Sequence, residues 1–516
     1  MMVAQRDSLG RRIFRDTANV TTVNLVAQAL AYVLAAYVAA TFGANSQTDA
    51  INLALIIPTF AANVVREAIK SVMVPELVDT RVNQPDRLAA LATRGVLAVA
   101  GLTLALTLIL ALALPAIMGF LTRYSAPDVQ ALSLSLSYVL LPMLPLVAVT
   151  GALAAVFNAH ARFRLPAALP GIDAVAKIVT VAALVASIGI FSLAVGFVLG
   201  PLVSVIILVG VGIAFGFLGR MRGNPTEGLK HIGKQALLPL IGLSLLQLNP
   251  FIDRTMASWL APGSVTALNY AERITAIPYI IVGAGFFGVL LAHWSDLAAR
   301  EGSDGLRRAL RNATAMIIYT LSPIVVLMAV LRVPIVTVLL QRGAFDAEAT
   351  ALTASALGFL VIGVLPNYLS LLVSRAFLSA KDIVTPTWLG VVNAVLNLSL
   401  NFLLIGRFGL AGIALSTAVT WTIVSILGYV VLRRRLGPLD VRSLLGPTGI
   451  IALAAVLAAL AAYLVRTAIP ASGTFMLLVQ LTLAGGAGLV VYVAVTMIAR
   501  VEEAAKLKFL LLRGRA

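Results

Sequence analysis

Between Asn249 and Pro278 four charged residues, Asp253, Arg254, Glu272 and Arg273, stand in or beside strongly apolar stretches. A charged side chain at the centre of a bilayer costs roughly 2.5–3.5 kcal/mol on insertion scales, so such groups look into a water-filled cavity or onto a partner. Arg273 presents a planar fork of donors suited to phosphate or carboxylate oxygens. Glu272 precedes it directly, about 100° away around a helix, and does not neutralise it across one face. A salt bridge to another helix is the structural reading of the same arginine. Asp253 is a lone carboxylate, since Arg254 also projects about 100° away. Asn393, Asn397 and Asn401 recur every four residues in an otherwise apolar stretch, and Thr417 adds a hydroxyl. Asp253 with Asn397, Asn401 and Thr417 is the hard oxygen set that a small monovalent or divalent cation accepts. Interhelical hydrogen bonding as packing glue is the alternative.

A second group of charges lies at Arg66, Glu67 and Lys70, with Arg66 and Lys70 four apart on one helical face. Both cations are candidate binders of an anionic group, unless the span ends before them and they sit at the cytoplasmic interface. Asp173 and Lys177, also four apart, are expected to form a structural ion pair.

These residues need helices to hold them. The chain has 516 residues, 60% hydrophobic and 11% charged, where soluble domains carry about 25% charge. Apolar runs of about 20 residues suit helices crossing a bilayer, and about fourteen are expected. They lie near 19–43, 50–74, 93–121, 130–158, 166–189, 192–218, 236–260, 266–294, 309–339, 349–378, 384–406, 408–432, 447–468 and 474–499. The net charge of +17 is concentrated in alternate loops, as topology requires and nucleic-acid binding does not, and it places both termini in the cytoplasm. The clusters Arg220/Arg222/Lys230/Lys234, Arg307/Arg308/Arg311 and Arg433/Arg434/Arg435 read as topology determinants and contacts to membrane lipids. The first apolar run is long and lacks a clear cleavage site, so it is expected to stay in the mature chain.

Cysteine is absent and only His160, His231 and His293 are present, without metal-type spacing. Disulfides, thiolate metal sites and cysteine nucleophiles are thereby excluded. No phosphate-binding Gly-Lys-Ser/Thr loop or HExxH occurs, and no loop is large enough for a soluble catalytic domain. The expectation is a protein that is not an enzyme.

Sliding the chain against itself by about 220 residues brings Phe157–Pro166 onto Phe377–Pro386 with both end residues identical, and Pro58 onto Pro278. The same offset superposes expected spans one to six on seven to twelve. The predicted fold is therefore an all-α polytopic membrane protein of two six-helix lobes, 1–222 and 223–435, followed by two additional helices and a basic tail, 436–516. A transport site between repeats near the bilayer midplane is a standard outcome of such an arrangement.

Several segments resemble the lipid II flippase family MurJ/MviN of the multidrug/oligosaccharidyl-lipid/polysaccharide exporter superfamily. They are FGANSQTDA from Phe42, FNAHARFRLP from Phe157, APGSVTALNYAERITAIP from Ala261, LLQRGAFDAEATALTASAL from Leu339, and the stretch from Ser374 to Ala418. The resemblance implies two six-helix lobes around a cationic cavity, two extra helices forming a groove for a polyprenyl tail, and alternating access. It matches Arg273 to the family's cavity arginine and Asp49 and Glu67 to its acidic positions. It also matches Asp253, Asn397, Asn401 and Thr417 to positions at which some members hold sodium. Where the family carries an Arg-Asp pair in the first span, this chain has Leu34 and Ala35; an Arg-Arg pair of the second span falls on Ala62 and Asn63. Arg66 and Lys70 are the candidate substitutes.

The expected function is translocation of an undecaprenyl-pyrophosphate-linked peptidoglycan precursor across the bacterial cytoplasmic membrane. Arg273, Arg66 and Lys70 would hold the pyrophosphate, with Glu67, Asp49 and Glu272 nearby. Na+ is the candidate coupling ion, no other cofactor is expected, and the chain is expected to act as a monomer without nucleic acid. An O-antigen or exopolysaccharide repeat unit is the alternative cargo. A cation-coupled drug exporter and a non-transporting scaffold for cell-wall assembly are the readings from other classes.

Overall fold

The computed structural model describes residues 2–219, 248–279, 284–437, 442–470 and 473–505, and all regular structure among them is helical. The chain divides into two compact units, Met1–Thr266 and Ala267–Ala516. The lobe boundary expected at 222/223 lies outside the described residues, as do His231 and the Arg220/Arg222/Lys230/Lys234 cluster. Residues 248–266 group with the first unit, and the two C-terminal helices group with the second.

The first unit contains α1 (Met2–Phe42), α2 (Ser46–Ala54), α3 (Ile56–Asn83), α4 (Pro85–Leu121), α5 (Pro127–Leu140), α6 (Met143–Ala159), α7 (Arg164–Ile188), α8 (Phe191–Ala214) and α9 (Leu248–Ala257). The division between units falls within α10 (Ser264–Thr275). The second unit continues with α11 (Ala284–Val330), α12 (Arg332–Leu340), α13 (Ala347–Ser379), α14 (Val384–Leu436), α15 (Arg442–Ala468) and α16 (Thr474–Ile498). Among the described residues, 11 helical stretches are long and apolar enough to cross a membrane. One of them, Val384–Leu436, covers two expected spans, because the backbone turns at Gly409 (φ 55°, ψ −131°) inside α14. Expected spans 236–260 and 266–294 run through residues that are not described.

Local chemistry sets the helix starts. Asn45 caps α2 by accepting from the backbone of Gln47 and Thr48, a reciprocal box with Thr48. Pro127 opens α5 where its missing N–H costs nothing, and Asp346 caps α13 through the Ala349 N–H at 2.8 Å. The outward face of α4 is apolar, with Leu108, Ile109 and Leu112 exposed, as a lipid-facing helix requires. Inward, Met73, Leu77, Ala92, Ala152, Phe157 and Leu208 form the core of the first unit. Trp294, Leu310, Leu321, Leu372 and Phe377 do so in the second, where α15 and α16 add a smaller cluster around Tyr319, Ala458 and Tyr492.

The repeat offset is carried by the backbone as well as by the sequence. Gly189 closes α7 at φ 54°, ψ −129°, which Gly409 reproduces 220 residues later. Ala161 (φ 56°) and Lys381 (φ 61°) are non-glycine residues in the left-handed region at the same offset. Each sits in one turn geometry, with the Arg162 N–H donating to Phe157 O and the Asp382 N–H to Phe377 O, both at 2.9 Å. Gly43 (φ 71°) and Gly263 (φ 89°) form a third such pair.

Candidate functional site

In the first unit, α3 continues well past the charges at its centre, so Arg66, Glu67 and Lys70 lie on an unbroken helix. Arg66 Nε and Lys70 Nζ both approach Glu67 Oε1, at 3.3 and 3.1 Å. The three side chains are 34–45% exposed. One carboxylate shared by two cations leaves the trio a formal +1, on a helix face open enough to admit an anion. Gly151 of α6 makes room for the Arg66 stem, since a Cβ there would come within 2.6 Å of Arg66 Cγ.

Asp49 has a different task. It is 6% exposed; Oδ2 accepts from the Gly263 N–H at 2.7 Å, and Oδ1 accepts from the Thr266 N–H at 2.8 Å and Thr266 Oγ1 at 2.7 Å. Both oxygens are thus engaged at the start of α10, where the helix N-terminus favours a carboxylate. Asn52 adds a bond to Thr266 Oγ1 at 3.0 Å. The geometry makes Asp49 an anchor for α10. Asp253 on α9 is 3% exposed. Asp173 Oδ2 and Lys177 Nζ meet at 2.5 Å on α7, the ion pair that the four-residue spacing predicted.

In the second unit, Arg273 lies in the last turn of α10, exposed, with Nε donating to Asn269 Oδ1 at 2.9 Å. Glu272 is half-buried beside it. Asn269 therefore orients the guanidinium fork, a role that the four-residue spacing alone could have suggested. On α14, Asn397 and Asn401 are 0% exposed and Thr417 4%. Asn397 Nδ2 donates to Thr417 Oγ1 at 3.2 Å, and Asn401 Nδ2 to Asn397 Oδ1 at 3.4 Å. Ser416 Oγ bonds Asn397 O at 3.0 Å. Three of the four expected cation-site residues thus form one buried polar cluster within this unit, joined by Ser416, which sequence reasoning did not select.

Long apolar helices, buried polar groups within them and the repeated turn geometry define a multi-pass membrane protein built on an internal repeat. The fold is shared with a solved inward-facing MATE family transporter of the MOP superfamily, at a TM-score of 0.66 and 15% identity over 81% of this chain and 98% of that one. It matches more fully a structure described as lipid II flippase MurJ in an inward closed conformation, at a TM-score of 0.79 and 19% identity over 93% of this chain and 98% of that one. The chain belongs to the lipid II flippase MurJ family, whose model matches residues 38–492. Relatives include a probable lipid II flippase MurJ of Thermotoga maritima, 27% identical over 78% of this chain and 80% of that protein. A lipid II flippase MurJ of Burkholderia cenocepacia is 23% identical over 82% of this chain and 84% of that protein.

Proposed function

We propose that the protein translocates lipid II, the undecaprenyl-pyrophosphate-linked peptidoglycan precursor, across the bacterial cytoplasmic membrane by alternating access. The observation that carries this reading is the match of the MurJ family model to residues 38–492. The pyrophosphate is the only strongly anionic group common to all such cargo, and it needs cations that can be reached. Arg273, oriented by Asn269, supplies a bidentate fork; Arg66 and Lys70 supply the surplus charge over Glu67. Asp49 anchors the start of the helix that carries Arg273, and Glu272 is an acidic member of the proposed substrate set. The polyprenyl tail stays in lipid, the protein works as a monomer with both termini cytoplasmic, and no chemistry is performed on the substrate.

A ligand that binds inward-open and outward-open states equally moves no equilibrium, so directional flipping draws on an ion gradient, the membrane potential or removal of product. The buried Asn397–Asn401–Thr417 cluster, with Asp253 as the carboxylate of the set, is the proposed Na+ site. Its neutral oxygens suit a hard monovalent cation.

The test is rescue of a bacterium depleted of its own lipid II flippase, together with lipid II flipping in proteoliposomes. The wild-type chain is expected to do both, and Arg273→Ala to lose flipping about tenfold or more, equivalent to roughly 1.4 kcal/mol. Inactivity of the correctly inserted wild type would overturn the reading. One observation favours a second cargo. At the family's first-span Arg-Asp positions this chain buries Leu34 and Ala35, at 9% and 7% exposure. Rescue of an O-antigen or exopolysaccharide flippase mutant, without rescue of lipid II flipping, would establish that alternative.

A further inference from the structure

The repeat offset of 220 residues links two largely buried clusters that differ in chemistry. In the first unit the pair is α7 against α8, related to the two halves of α14 by the turn at Gly189 and its counterpart Gly409. Asp173 is matched by Asn393, Lys177 by Asn397, Phe197 by Thr417, Gly196 by Ser416 and Gly200 by Thr420.

The contacts follow the same register. Lys177 Nζ lies 4.2 Å from the centre of the Phe197 ring, and at the matching positions Asn397 Nδ2 meets Thr417 Oγ1 at 3.2 Å. A Cβ on Gly196 would touch the Lys177 backbone at 3.4 Å, and Ser416 bonds the Asn397 backbone at 3.0 Å. A Cβ on Gly200 would overlap Asp173 Oδ1, so a side chain like that of Thr420 at this position would displace the Asp173 carboxylate. Side-chain volume is exchanged across the interface: long charged groups face glycines in the first unit, and short amides face hydroxyls in the second.

Charge distinguishes the two. The second-unit set of Asn393, Asn397, Ser416, Thr417 and Thr420 offers neutral oxygens and no formal positive charge. The first-unit set contains an ammonium, 8% exposed, against a carboxylate whose Oδ1 is buried with no hydrogen-bond partner among the described residues. An aromatic face completes its surroundings, as cations favour.

We infer that the Lys177 ammonium is a tethered cation that permanently fills, in the first unit, the counterpart of the polar cluster of the second, and that without it the Asp173 carboxylate takes a free monovalent cation. The packing of α7 on α8 is then independent of ions. The further consequence, that ion exchange during transport is confined to the site around Asn397, rests on the Na+ reading proposed above.

The test is thermal unfolding of the full chain in detergent, followed by intrinsic tryptophan fluorescence, in choline chloride and in NaCl at equal ionic strength. Lys177→Ala is expected to unfold about 5 °C or more below wild type in choline, since it removes the partner of a part-buried carboxylate whose Oδ1 is buried. About 200 mM Na+ is expected to restore at least half of that loss, beyond any rise seen in wild type, by mass action on the native state. The double variant Asp173→Ala/Lys177→Ala should lack this extra rise. Should Lys177→Ala yield no folded protein, Lys177→Gln gives the same comparison with a shorter, neutral side chain. A Na+ response of the single variant no larger than that of wild type, or equal in the double variant, overturns the inference. The wild-type response reports on the Na+ site proposed around Asn397, so its absence would count against the Na+ reading and leave the tethered cation standing.

Discussion

Asp49 shows how one carboxylate can be fully committed to architecture. Three donors converge on it from Gly263 and Thr266, so replacing one oxygen by an amide nitrogen turns a donor against a donor. Asp49→Asn is expected to cost about 1–3 kcal/mol, read as a drop in unfolding midpoint in detergent. Asp382, in the turn between α13 and α14, is the clearest titrating group outside the spans. Partial burial pushes its carboxyl up, but bonds from the Thr385 backbone and hydroxyl, and then the Arg435 guanidinium, outweigh it and hold the group below its ordinary value. A depressed carboxylate stabilises the fold above its unfolded pKa, and that stability is lost as pH falls through the folded value. Asp382→Ala should therefore be about 1 kcal/mol less stable than wild type at neutral pH, the typical net worth of a hydrogen bond. The difference should vanish as pH falls below the ordinary carboxylate range, measured as unfolding midpoints across pH.

At the scale of elements, the turns that end α6 and α13 place Ala161 and Lys381 in a backbone region that L-residues avoid. Glycine removes that penalty but raises the entropy of the unfolded chain, and near φ 60° the first effect is larger. Ala161→Gly and Lys381→Gly are each expected to gain up to about 1 kcal/mol, measured by the same unfolding assay. Gly263→Ala should do the reverse, by about 1–3 kcal/mol, because φ is 89° and the new Cβ would stand 2.7 Å from Ala44 O. The helices themselves were legible from apolar length alone, and the ion pair on α7 from its spacing. Asp49 was not, because the donors that claim it lie more than 210 residues away along the chain. Gly196 and Gly200 were silent as well, since a glycine announces no partner until the side chain it accommodates is seen. The polar stripe of Asn397 and Asn401 was visible, but Ser416 joined it only through the turn at Gly409.

For the whole molecule, the proposed site has a cationic part and an ion-binding part, and they are separable by experiment. Arg273→Ala should depress flipping at every Na+ concentration. Asn401→Ala should instead remove the dependence of flipping on a Na+ gradient, as measured in proteoliposomes with and without one. Arg273→Lys, which keeps the charge and loses the fork, is expected to fall between wild type and Arg273→Ala. The basis for assigning these parts was present in the sequence as charges in apolar surroundings, whereas the neutral turn and packing residues that hold them were not.

The left-handed turns at Ala161 and Lys381 have one more consequence. They fix the register between the two repeats, so the chain carries a two-sequence alignment of itself. Where the copies diverge in chemistry at equal backbone positions, the halves have taken up different work. Asp49 against Asn269, Leu53 against Arg273 and Lys177 against Asn397 are such places. On the reading proposed above, one set of equivalent positions serves as an anchor with its own counter-ion and the other as the receptor for what crosses the membrane.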